Sequence, residues 1–224
     1  MKNLILIFVV VAFLSLPTVA MADTWLTAVA PSPGDLNDLD HHLAYTWGIS
    51  NLNVPAGNVI TGARLTFTNI QDWQTEPYSI LYIHLLNSAI TTTGVASATD
   101  NDLDNQYTDF FAGANPLVTG PQAAAANNIR LAPLDSRFVN ISTIPSTIVY
   151  NFSANELTTL RSFAAGGIAL GFDPDCHFWN DGITFQILVA PTATPEPATM
   201  VLLGSGLAGF SYFQRRRHRR TNKG

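Results

Sequence analysis

The apolar residues of this chain come in short runs of β-type residues, with little helical periodicity. Tyr45 to Ile49, Val59 to Ile70, Ile80 to Leu86, Ile148 to Phe152, Ile168 to Phe172 and Ile183 to Val189 are the main runs. In Ala63-Arg64-Leu65-Thr66-Phe67-Thr68 the period is two. Ile183, Phe185, Ile187 and Val189 repeat that period around Thr184 and Gln186. A period of two places alternate side chains on opposite faces of a strand, one face apolar and one polar. Turn formers separate the runs: Pro55-Ala56-Gly57, Gly166-Gly167 and Asn180-Asp181-Gly182. Several such strands without alternating long helices specify an all-β fold, an antiparallel β-sandwich or jelly roll. One short crossover helix is expected. Ser153-Ala154-Asn155-Glu156 is a capping box, and Leu157, Leu160 and Ala164 follow at helical spacing. Thr91 to Gln106 and Ala123 to Ala126 read as long loops.

Charge narrows the function classes. Between Asp23 and Thr194 there are four arginines, no lysine and fifteen carboxylates, a balance of −11. Such a body repels phosphates, which excludes nucleic acid and anionic lipid as partners. Cations, neutral glycans and other proteins remain. Cys176 is the single cysteine, so no intramolecular disulfide is available and the fold must rest on its apolar core.

The two ends differ from the body. Met1-Lys2-Asn3, an apolar stretch from Leu4 to Leu16, and Ala20-Met21-Ala22 before Asp23 form a secretory signal peptide, residues 1–22. The domain is expected over 23–190 and a tail over 191–224. In that tail Pro195-Glu196-Pro197 follows a Pro- and Thr-rich linker, and an apolar run from Ala198 to Phe213 comes next. Arg215, Arg216, Arg217, His218, Arg219 and Arg220 close the series. The run reads as a transmembrane helix over 198–213, with the arginines held on the cytoplasmic side. Gly204, Gly206 and Gly209 match a dinucleotide fingerprint in spacing, but no strand–turn–helix context accompanies them. They read instead as small residues on a membrane helix.

This ordered tail resembles the PEP-CTERM sorting signal of Gram-negative bacteria that make exopolysaccharide. The resemblance rests on Pro195, Glu196 and Pro197, on the apolar segment, and on Arg215, Arg216 and Arg217. Thr194 stands where that family often has valine. The resemblance implies processing by exosortase, a membrane protease, and transient anchoring in the inner membrane. Delivery to the cell surface or a biofilm matrix would follow.

Candidate chemistry gathers in Asp173-Pro174-Asp175-Cys176-His177-Phe178-Trp179-Asn180-Asp181-Gly182, read as a loop joining two strands. Asp173, Asp175, Asn180 and Asp181 supply the hard oxygen donors that calcium takes, though His177 breaks the EF-hand pattern. Cys176 and His177 are neighbours, which in extended chain point to opposite faces. That argues against a nucleophile–base pair, and the lack of a second cysteine or of a metal-type spacing argues against zinc at Cys176, His177 and other histidines. Asp35, Asp38 and Asp40, leading into His41-His42, read most simply as a solvated segment. They would complement the Asp173 loop if both lay at one end of the fold. Trp73 and Trp179, in expected loops, are the candidates for stacking on sugar rings. The expected function is a non-catalytic envelope or matrix protein binding glycan or calcium. An enzyme acting on extracellular polysaccharide is the alternative. Such an enzyme needs two carboxylates across a cleft, and glutamate in the body is limited to Glu76 and Glu156.

Overall fold

The computed structural model describes residues 22–31, 36–75, 79–86, 94–100, 109–111, 129–131, 135–192 and 204–213. Two compact units are distinguished: Asp23–Ala190, and Met1–Ala22 with Pro191–Gly224. Residues 1–21, and with them most of the expected signal peptide, lie outside the described residues, as do 198–203 of the expected membrane helix. The helix described in the tail covers 204–213. No helix among the described residues is long and apolar enough to cross a membrane.

Among the described residues the body has eleven strands. The first sheet holds β1 (Thr24–Val29), β2 (Asp38–Leu39), β4 (Asn58–Asp72), β8 (Ser146–Asn151), β10 (Phe178–Trp179) and β11 (Ile183–Pro191). The second holds β3 (Leu43–Ile49), β5 (Leu81–Leu86), β6 (Gly94–Thr99), β7 (Ile129–Leu131) and β9 (Ile168–Pro174), in the order β6-β3-β9-β5-β7. Antiparallel pairing runs through both sheets.

β4 organises the first sheet. One edge pairs with β8. The other edge meets β11 and then β10, which follow one another along it. The β11 stretch is marked by Arg64 Nε donating to Gln186 Oε1 at 2.6 Å, and by the Thr68 amide donating to Gly182 O at 3.0 Å. A β-bulge interrupts the β4–β8 ladder between Phe67 and Ile70, with Asn69 at φ 49°. A bulge inserts one residue and so changes which residues face inward. Accordingly Ala63, Leu65 and Phe67 are buried before it, and Ile70 and Asp72 after it. The Asn180–Gly182 break does the same between β10 and β11, with Gly182 at φ 127°. Phe178 is buried before the break, and Ile183, Phe185, Ile187 and Val189 after it. The two irregularities face each other, and Asn69 Nδ2 donates to Asp181 Oδ2 across them at 2.6 Å.

The inward faces of both sheets share one apolar core. Phe67 of the first sheet packs edge-to-face on Phe172 of the second, ring centroids 5.9 Å apart. Each fully buried phenylalanine contributes roughly 1.5–3 kcal/mol relative to exposure, so a chain without disulfides has its main support here. The outer face of the second sheet is covered by residues 109–111. There Phe110 and Phe111 pack on Ala44, Leu86 and Ala169, which makes β9 buried along its whole length.

Helix α1 (Ala154–Phe163) connects β8 in the first sheet to β9 in the second. Its capping box is complete: Ser153 Oγ accepts from the Glu156 amide at 3.4 Å, and Glu156 Oε2 accepts from the Ser153 amide at 2.6 Å. Glu156 Oε1 also accepts a hydrogen bond from the Tyr150 hydroxyl at 2.6 Å. Gly167 ends the connection at φ 82°, where a Cβ would stand 2.9 Å from Ile49 O. Only glycine fits there.

Two expectations are corrected. The segment read as a loop from Thr91 contains β6, whose small residues hide a strand that β3 holds by backbone pairing. The ten-residue loop from Asp173 is not continuous loop either, since β9 extends through Pro174 and β10 occupies Phe178–Trp179. Ala123 to Ala126 lies outside the described residues.

Candidate functional site

The register at the far end of the first sheet assembles one surface from three distant segments. β10 pairs β2 through Phe178↔Leu39 and Trp179↔Asp38, and pairs β4 through Phe178↔Asp72 and Trp179↔Gln71. Extending both ladders by one residue puts His177 between Asp40 and Trp73. The Trp73 amide donates to His177 O at 3.0 Å in keeping with that register. Leu39, Asp72 and Phe178 point inward and are buried. Strand alternation therefore turns Asp38, Asp40, Trp73, His177 and Trp179 outward together.

On that outward surface Trp73 is 46% exposed and Trp179 44%. His177 lies between them, its ring centroid 6.2 Å from Trp73 and 5.8 Å from Trp179. Its Nε2 hydrogen-bonds Asp38 Oδ1, a diagonal cross-strand contact. Asp40 accepts from the His42 amide and pairs with the His42 ring Nδ1, each at 3.0 Å. Partial burial pushes the Asp40 carboxyl up. The two His42 hydrogen bonds and the charges of His41 and His42 outweigh this and hold it below the ordinary aspartate range.

The four oxygen donors considered for calcium have separate surroundings. Asp173 lies on the covered outer face of β9. There Oδ2 accepts from the Phe110 amide at 2.7 Å. Burial pushes its carboxyl up to about 9, against the lowering effect of the Phe110 amide and with further raising by Asp100 and Asp109. At neutral pH this group carries a proton and hydrogen-bonds Asp100. Asp175 is buried beside Tyr82, whose hydroxyl is pushed well up by burial and then by the Asp175 charge. Asn180 is buried; its Nδ2 donates to Leu36 O at 2.5 Å and its Oδ1 accepts from the Gly182 amide. Asp181 is exposed and bonded to Asn69.

Cys176 and His177 do point opposite ways: the thiol is buried and donates to Asp72 Oδ1 at 3.3 Å, while the imidazole faces out. His84 is a buried core residue, its Nε2 2.8 Å from Asp109 Oδ1. Elsewhere on the body, a cleft of about 260 Å³ beside β1 is lined by residues including Trp25, Ala28, Ile49, Leu52, Phe185 and Ile187. None of its described lining residues is titratable.

The tail is settled by comparison. The family model of the PEP-CTERM protein-sorting motif matches residues 193–217. This chain carries a PEP-CTERM sorting signal. Pro195, Glu196 and Pro197 fall inside the matched segment, as do the helix 204–213 and Arg215, Arg216 and Arg217 at its end. The Pro-Glu-Pro and arginine residues lie outside the described residues. The PEP-CTERM signal marks an exported protein processed by an exosortase. No curated protein and no solved structure matches the chain.

The sequence singles out Trp73 and Trp179 and raises a meeting of the Asp35–His42 segment with the Asp173 loop, but gives Asp40, His41 and His177 no joint role. Asp35 lies outside the described residues. The missing signal was register. Asp38 and His177 are 139 residues apart, and only the β2–β10 pairing brings them together.

Proposed function

We propose that the body is a non-catalytic β-sandwich of jelly-roll type, sorted through its PEP-CTERM tail to the cell surface or extracellular matrix of a Gram-negative bacterium. There it contacts exopolysaccharide through Trp73 and Trp179. The observation carrying this reading is the outward row Trp73–His177–Trp179, with both indoles nearly half exposed on a regular sheet surface. Indole faces are flat and apolar with a polar N–H at the rim, which suits the C–H faces and hydroxyl edges of sugar rings. Asp38 and Gln71 flank the row in register and add hydrogen-bonding groups for sugar hydroxyls. The body's negative charge favours a neutral glycan over an anionic one. During sorting, the segment 198–213 holds the protein transiently in the inner membrane, and an exosortase acts near Pro195-Glu196-Pro197.

Two experiments test these halves separately. Exopolysaccharide purified from the producing bacterium should bind the full-length chain, and W73A and W179A should each weaken binding about 10-fold, equivalent to about 1.4 kcal/mol. Undiminished binding with both indoles removed would refute the aromatic row. Changing Pro195-Glu196-Pro197 to alanines should abolish the size change on processing in the native host. Normal processing of that variant would refute exosortase recognition through the motif.

A further inference from the structure

Beside the aromatic row, Asp40, His41 and His177 form a donor cluster of a different kind. Each offers one ligand atom, and the three atoms all lie within 4.8 Å of one another. His41 Nδ1 is 3.7 Å from Asp40 Oδ1. Neighbouring donors around a tetrahedral ion with bonds near 2.0 Å stand about 3.3 Å apart, so small side-chain rotations close the set.

The surroundings hold these donors in place. The Asp40 amide donates to the Tyr45 hydroxyl at 2.9 Å, and that hydroxyl donates to Asp38 O at 3.2 Å. The Leu43 amide closes the turn on Asp40 O at 3.0 Å. His177 is fixed from the other side by β10 pairing and by Asp38 on its Nε2. In the tautomer whose Nε2–H donates to Asp38 Oδ1, Nδ1 keeps its lone pair. A carboxylate on the far ring nitrogen is the usual outer-shell partner of a metal-bound histidine.

We propose that Asp40, His41 and His177 bind one divalent transition-metal ion of the zinc class, with Asp38 orienting His177. Two imidazoles and one carboxylate suit zinc and its neighbours, whereas calcium takes six to eight oxygens. Three protein donors leave a tetrahedral zinc one position for water or an outside ligand. His42 is the exposed member of the histidine group and is assigned only its hydrogen bond to Asp40. The site stands on donor geometry alone and does not depend on glycan binding.

The test uses the full-length chain in detergent, stripped with chelator, then titrated with zinc chloride by calorimetry and loaded with cobalt(II) for visible spectroscopy. One zinc per chain is expected, undisplaced by excess calcium, with visible cobalt bands of a low-symmetry histidine site. D38N should weaken zinc binding about 10–100-fold, the usual effect of losing an outer-shell partner. D40N, H41Q and H177Q should weaken it further, and W73A should leave it within the same order of magnitude. Circular dichroism identifies any variant that fails to fold, and the remaining two ligand variants then carry the test. Absence of saturable one-per-chain binding would overturn the proposal. So would folded D40N and H177Q variants that bind as tightly as the parent. Loss of binding in H42A alone would overturn it too, since it would mean surface chelation by neighbouring histidines.

Discussion

Asp173→Asn should remove most of a pH dependence that one buried proton imposes on stability. In the unfolded chain this carboxyl ionises near 3.8, and in the fold burial pushes it up to about 9. Between these values the native state holds one proton more than the unfolded state. Stability is therefore fully present below the unfolded value and is lost as pH rises through the folded one. One proton of difference corresponds to about 1.4 kcal/mol per pH unit, or about 4 kcal/mol between pH 5 and 8. Asparagine copies the protonated acid. Its carbonyl can accept from the Phe110 amide, its NH2 can donate to Asp100, and it cannot ionise. Urea denaturation followed by tryptophan fluorescence at pH 5, 6, 7 and 8 gives both profiles. Histidine titrations contribute to both chains and cancel in the difference. The variant should be the more stable chain at pH 8, with the gap shrinking towards pH 5 by about 1.4 kcal/mol per unit. Parallel profiles would refute the buried proton and the assignment of Asp173 to the interior network.

Further expectations concern the supports of the fold. Glu156→Ala removes the acceptor of the Tyr150 hydroxyl and of the Ser153 amide, and should cost about 3 kcal/mol in denaturant melts. Ser153→Ala, which loses one capping bond, should cost about 1 kcal/mol. Gly167→Ala forces a side chain into a left-handed backbone and against Ile49 O, so a loss of at least about 2 kcal/mol should appear as a lower denaturation midpoint. Cys176→Ala strips a donor from buried Asp72 and should cost about 1–3 kcal/mol, while Cys176→Ser, which keeps a donor, should cost less. The native thiol should react with a bulky disulfide reagent only on the timescale of opening, which stopped-flow labelling with and without urea would check.

The long strands were legible because their residues are large and alternate. Val59 to Ile70 and Ile183 to Val189 match β4 and β11 within a few residues, and the capping box marks α1. β6 was not legible, because Gly94-Val95-Ala96-Ser97-Ala98-Thr99 has too little apolar bulk to show a period, and pairing with β3 supplies its order. β2 and β10 are two residues each, too short for any periodicity. Their pairing builds the end surface, so Trp73 and Trp179 could be recognised singly while the Asp40–His41–His177 cluster could not. The PEP-CTERM motif was legible, since it is recognised as linear sequence.

The paired irregularities at Asn69 and at Asn180–Gly182 act as parity switches. Each adds a residue, and each thereby decides whether odd or even positions beyond it meet water. A one-codon deletion near Asn180 would drive Trp179 inward and Phe178 out, erasing the aromatic row without altering either residue. Substitutions can adjust this surface one side chain at a time, but its layout is inherited through chain length.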